Sequence, residues 1–278
     1  MAEEFQANPE VETVLEGHAR QLSKLNQEEM KRVLELYKRA RQDVRDRLDA
    51  YSGGTFTAQK LGGVLAQIEA GIAQMNQQLT EGMSSAGMTL SELGIEQLVQ
   101  EIKRFERIFS GAVVPINVNV VQVASDTSNF LFNKYEASIS AYSEQMRSLF
   151  AQNLSLAAVE EIPMGEVVAR VGKFFLGEEW RLTRIVRTEL MGVYSYGKLA
   201  GMREVQQKDL PDLMKTLYIP LDARTGDDSK VLSKNIPVVP VDEPFVEYSL
   251  GHKATYMAPP NRPNDRSILI PYRESWSG

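Results

Sequence analysis

The segment Asp222-Ala-Arg-Thr-Gly-Asp-Asp-Ser229 holds the side chains best suited to metal chemistry. Clustered carboxylates suit Mg²⁺ or Ca²⁺, hard cations that take oxygen ligands. Asp222, Asp227 and Asp228 do not follow the Asp-x-Asp-x-Asp-Gly calcium pattern, and no further ligand set follows them. Aspartates beside glycine also satisfy backbone amides in turns, and a turn is the expectation here. The rival is a metal-dependent phosphodiesterase or nuclease using these three aspartates. Other chemistry is scarce: the chain has no cysteine and only two histidines, His18 and His252. Thiol nucleophiles, thiolate metal sites and disulfides are excluded, and a histidine-rich zinc site or a Ser-His-Asp triad is disfavoured. No cofactor is expected.

The elements that must position these residues are mostly helical. From Asn8 to Tyr51, Val11, Val14, Leu15, Leu22, Leu25 and then Val33, Tyr37, Val44 and Leu48 recur at helical steps, with Asn26 between the two runs either capping a new helix or interrupting the first. Asn8-Pro9 supplies a start, with Glu10 and Glu12 favourable at the positive end of the dipole. A second helix is expected over 57–82, where Gly62, Gly63 and Gly71 either weaken it or let another helix approach. Ser84 to Gly87 reads as a turn, and Ser91 as the cap of a third helix with Leu93, Ile95, Leu98, Ile102 and Phe105 on its apolar face. Residues 113–121, β-branched with Pro115, read as a short strand or an extended connector, or as a helix beginning at Asn117. Helix resumes over 128–158. After the break at Pro163-Met164-Gly165, a short helix over 166–176 and a long one over 178–207 are expected.

Beyond Lys208 the composition changes: nine of the twelve prolines lie from Pro211 onwards. Long helices cannot run through such proline density, whereas short strands tolerate it at their ends and edges. The expected fold class is α+β, predominantly α, with long N-terminal helices and a small C-terminal strand-and-loop module. The boundary is drawn near residue 160, giving a helical, coiled-coil-like adaptor region over 1–160 and a second module over 161–278.

On the 178–207 helix, Leu182, Ile185, Val186, Val193, Tyr196 and Ala200 share a stripe that also holds Glu189. A carboxylate facing inwards costs several kcal/mol, roughly, unless it is paired. Arg224, Arg262 and Arg266 are the candidate donors for a structural clamp, because guanidinium can grip carboxylate at two points. Arg184 and Arg187 point away from the stripe. Basic residues outnumber acidic ones over 170–208, and Arg181, Arg184, Arg187 and Lys198 are candidate contacts to DNA phosphates. The stretch from Lys31 to Arg47 is similarly basic. Intrahelical ion pairing is the competing explanation of both stretches.

Overall, 43% of residues are apolar and 24% charged, with a net charge of −6. These values suit a globular protein and argue against a wholly basic nucleic-acid binder. The N-terminus lacks the apolar core of a secretory signal, and no apolar run approaches the ~20 residues of a membrane span. A soluble chain made in a reducing cytoplasm is expected.

Arg187-Thr188-Glu189, Asp222-Ala223-Arg224-Thr225, Val241-Asp242-Glu243-Pro244-Phe245 and the closing Pro259-Pro260-Asn261-Arg262-Pro263-Asn264-Asp265-Arg266-Ser267 occur in that order. Together, over about residues 163–272, they resemble the phage Mu F-like head morphogenesis family, the minor head proteins of tailed bacteriophages. The resemblance implies a non-enzymatic minor structural protein of the phage head. Such a protein is assembled in the host bacterial cytoplasm and built into the procapsid near the portal. It supports capsid assembly and DNA packaging or delivery. The implied partners are portal or major capsid proteins, and packaged double-stranded DNA, in an oligomeric assembly within the virion and without a membrane. An internal helical scaffold protein is the non-enzymatic alternative. The chain also departs from the family. Asp265 and Ser267 stand where many members have the cysteines of a Cys-Arg-Cys segment, and Ser229 lies near the position of a histidine. A zinc site implied by the family is therefore lost, and salt bridges such as one from Arg266 to an aspartate are expected in its place.

Overall fold

The computed structural model describes residues 8–49, 54–220, 227–233, 236–249, 252–262 and 265–276. Four long helices come first: α1 (Pro9–Asp49), α2 (Ala58–Ser110), α3 (Val120–Val159) and α4 (Met164–Lys208). The C-terminal part contains β1 (Met214–Tyr218), α5 (Asp227–Leu232), β2 (Val239–Pro240), β3 (Phe245–Ser249), β4 (His252–Tyr256), β5 (Ile268–Tyr272) and a 3₁₀ turn (Glu274–Trp276). The fold is α+β and predominantly α, as expected.

Local chemistry explains most boundaries. Asn8 caps α1, its Oδ1 accepting from Glu10 N at 2.9 Å and Val11 N at 3.4 Å. The 111–119 segment is an extended connector, and α3 begins after Asn119, whose Oδ1 accepts from Gln122 N at 3.2 Å. The cap is therefore Asn119, not Asn117.

Two expected breaks are absent. α2 runs unbroken through Ser84–Gly87 because Met83, Ala86, Leu90 and Leu93 continue a buried stripe. Burying them outweighs the cost of Gly87, about 1 kcal/mol. Ser91 is consequently a fully buried mid-helix residue rather than a cap. α4 likewise runs through Gly177, with Val167, Val171, Phe175 and Leu182 buried on either side of it.

The chain forms two compact units, each discontinuous in sequence. One comprises residues 29–85 and 132–186, and is wholly helical apart from its connections. Its core includes Val33, Val44, Ile68, Ile72, Ile139, Met146 and Phe175. Tyr37 donates to the carbonyl of Phe175 at 2.7 Å, and the Phe150 ring lies 4.4 Å from Phe174 and 5.1 Å from Phe175. Gly71 allows α1 and α2 to approach: a Cβ there would lie 2.2 Å from Val44 Cγ2. Gly62, by contrast, has open space around it.

The other unit comprises residues 1–28, 86–131 and 187–278. It holds an antiparallel sheet in the order β2-β1-β5 and a β3-β4 hairpin. Every residue of β5 is buried, and its Pro271 is accommodated because β5 is an edge strand. In the same unit α2 and α4 pack at backbone distance. A Cβ on Gly94 would meet Tyr194 O at 2.5 Å, and one on Gly197 would meet Ser91 Oγ at 2.5 Å. These packing units do not follow the division near residue 160, since each long helix contributes to both.

Candidate functional site

The closing segment of the chain folds back into a set of polar locks, all within the unit that carries the strands. Glu247 on β3 is buried and receives Asn261 Nδ2 at 2.5 Å, Arg262 at 3.1 Å and the Tyr256 hydroxyl at 3.2 Å. Arg262 extends its other terminal nitrogen to Ser229 Oγ at 2.9 Å. Asp265, also buried, accepts from Ser267 Oγ at 2.7 Å, Ser267 N at 2.9 Å and Asn261 N at 3.2 Å. Burial and the Glu247 charge push the Tyr256 hydroxyl well above its usual range, so it stays a donor. Ser229, Asp265 and Ser267 thus form hydrogen bonds at the positions where the resemblance led one to look for histidine and cysteines.

A second lock joins the C-terminus to α2. Arg273 grips Asp212 with bonds of 2.8–3.0 Å and also donates to the buried Glu106. The indole of Trp276 donates to the same Glu106 oxygen at 3.1 Å and packs edge-on against Phe105, ring centres 5.4 Å apart. Trp276 is fully buried.

The third lock lies in the helical core. Lys198 of α4 and Glu101 of α2 are both 0% exposed, and the ammonium donates to Glu101 Oε1 at 2.6 Å. His18 Nδ1 lies 2.9 Å from the same oxygen. Beside them, the Tyr194 hydroxyl donates to Gln97 Oε1 at 2.6 Å. Burial lowers the Lys198 pKa, and Glu101 partly restores it. Burial, and then Glu101, raise that of Tyr194. Lys215 on β1 is a further buried cation. It donates to Met257 O at 2.9 Å and sits 5.0 Å from the Phe245 ring centre. Its pKa is pushed down to about 8, chiefly by burial and then by Arg203.

These positions revise the sequence expectations. The buried stripe of α4 in this unit runs through Leu190, Tyr194, Met202 and Val205 and includes Lys198. Lys198 is therefore not available to DNA phosphates; it is the inward charge that needs a partner, and Glu101 is that partner. Glu189 and Tyr196 are only half-buried, at the margin of the stripe. Arg262 reaches Glu247 and Ser229, and Arg266 is half-buried. Arg224 and Asp222 lie outside the described residues, as does the Asp228 side chain. Asp227 is exposed and pairs with Lys230 at 3.0 Å, an ordinary helix-surface contact. Arg184 and Arg187 are exposed, as expected; Arg184 stacks 5.3 Å from the Trp180 ring centre, and the half-buried Arg181 lies 3.9 Å from Glu178.

Sequence reasoning missed Glu101, Glu106, Glu247 and Arg273. A signal existed for Glu101 and Lys198. Glu101 sits between Leu98, Ile102 and Phe105, and Lys198 between Tyr194 and Met202, at helical steps on buried faces. No such signal joined them to each other, because 97 residues separate the pair.

No described helix is long and apolar enough to cross a membrane. Comparisons with protein-family models, curated proteins and solved structures gave no match.

Proposed function

We propose that this protein is a minor structural component of a tailed-bacteriophage head, built in near the portal and acting in assembly and DNA packaging rather than in catalysis. The carrying observation is the closure around Glu247, Arg262 and Ser229. Ser229 stands near the histidine position in the family-like pattern and Arg262 lies in its closing segment, yet a bond of 2.9 Å joins them across 33 residues. Asp265 and Ser267, at the positions of the family's cysteines, complete the closure with their own hydrogen bond at 2.7 Å. A polar lock thus stands where a metal or cysteine knot would otherwise tie the module. Long helices bearing a tightly closed terminal module suit a part that must be held by portal or capsid neighbours. The side chains in the locks are committed to one another, which suits a structural role.

Quantitative mass spectrometry of purified particles, normalised to the major capsid protein, tests this reading. The expected result is a constant low copy number per particle, with packaging or infectivity lost when the gene is interrupted. Absence from both procapsids and mature particles would overturn it.

A further inference from the structure

On the α1–α2 face of the strand-bearing unit lies a cavity of about 490 Å³ with a markedly one-sided charge. Lys103, Arg104 and Arg107 of α2 line it together with Gln100, and α1 contributes Gly17 and His18. No carboxylate belongs to this lining. All three cations are exposed. None forms an ion pair with a described residue, unlike Arg20 with Glu16, Lys38 with Glu35 or Arg170 with Glu166.

The reason lies in the helix. The acids that could neutralise them at three-residue spacing are Glu101, before Arg104, and Glu106, after Lys103. Both are turned inwards and already engaged, Glu101 by Lys198 and His18, Glu106 by Arg273 and Trp276. Lys103 and Arg107 stand four residues apart on one face, where like charges repel. An unneutralised cluster persists here although the chain as a whole carries −6. Opposite it, a Cβ on Gly17 would meet nothing within 4 Å, so the α1 wall leaves room. The His18 ring is held from beneath by Glu101.

We propose that this groove binds phosphate groups, with Arg104 and Arg107 as fork-like donors, Lys103 as a point charge and Gln100 as a neutral donor. The phosphates belong either to a compact polyphosphate or to a nucleic-acid backbone, which offer the same oxygen chemistry. This inference uses residues separate from the closing module and does not rest on the proposed place in a phage head.

The test uses the full-length chain with two probes, inorganic tripolyphosphate by calorimetry and a fluorescent DNA duplex by anisotropy. One variant combines Lys103→Gln, Arg104→Gln and Arg107→Gln. A charge-matched control combines Lys24→Gln, Lys134→Gln and Lys253→Gln, at exposed positions outside the cavity lining and outside both basic stretches. At least one probe should bind, and the groove variant should weaken it about tenfold or more while the control changes it little. If the duplex binds, three phosphate contacts add about −2.7 to the slope of log K against log salt, and the groove variant should lose that part. Binding of tripolyphosphate alone would identify a compact ligand, and binding of the duplex a backbone. Failure of both probes, or equal loss in groove variant and control, would overturn the proposal.

Discussion

The two compact units are held by different means. In the unit of residues 29–85 and 132–186, the core is built mainly of apolar side chains, and two of its tyrosines donate to backbone carbonyls. Tyr37 donates to Phe175 O at 2.7 Å and Tyr142 to Glu178 O at 3.4 Å. In the other unit, buried charges meet buried charges or hydrogen-bond partners: Glu101 with Lys198, Glu106 with Arg273, Glu247 with Arg262. Long amphipathic helices bury enough surface to define their own packing. In the strand-bearing unit, directional polar contacts fix which segment returns to which: Glu247 with Arg262 and Glu106 with Arg273 tie the closing segment, and Glu101 with Lys198 ties α2 to α4. Buried ion pairs add little net stability over apolar packing, because desolvation offsets much of their attraction, but losing one partner strands the other charge.

That contrast is sharpest at Lys198. Lys198→Met leaves the Glu101 carboxylate buried without its ammonium, and should cost about 3–5 kcal/mol in urea unfolding. Adding Glu101→Leu should recover much of the loss. If Lys198→Met were silent, the ion pair would not be what organises this unit.

Backbone proximity gives the next effect, and it is common to both units. Gly197→Ala places a methyl against Ser91 Oγ and backbone, and Gly71→Ala places one against Val44 Cγ2. Each should destabilise by about 1–3 kcal/mol. The Gly197 change should be the larger, because backbone cannot rotate away as the Val44 side chain can. Thermal melts of the two variants decide the order.

Lys215 adds a pH signature to the charged unit alone. Its folded pKa, about 8, lies below the ordinary lysine value of 10.5, so the unfolded chain binds more protons between them. Its contribution to stability therefore rises with pH across that window and is flat below it. Lys215→Met should remove this part of the pH dependence, read as the difference between wild-type and variant unfolding midpoints from pH 7 to 10.

The smallest expected effect is a gain. Gly62→Ala, in the apolar unit, meets nothing within 4 Å and should stabilise by about 0.5–1 kcal/mol.

How far the sequence could be read follows the same division. The periodicity of Val11, Leu15 and Leu22 and then Val33, Tyr37 and Val44 placed α1 between Asn8 and Tyr51, close to its actual span of Pro9–Asp49. Proline density placed the strands after Lys208. The continuity of α2 and α4 was harder to read, since glycines at 87 and 177 signal a break locally and only packing overrides them. Polar partners were the least legible. Arg262 was one of three candidate partners for Glu189, with Arg224 and Arg266; its bonds to Glu247 and Ser229 join segments 15 and 33 residues away, a pairing that no local pattern announces. Lys198 was grouped with the surrounding basic residues as a candidate DNA contact, although its four-residue steps from Tyr194 and to Met202 placed it inside.

The central claim is that directional charge pairing closes the C-terminal module. A double-mutant cycle on Glu247→Gln and Arg262→Gln, read by urea unfolding and by hydrogen exchange of the β3–β4 amides, tests it most directly. The account predicts a coupling of about 1 kcal/mol or more, with faster exchange across the hairpin in either single variant. Strictly additive effects with unchanged exchange would contradict it.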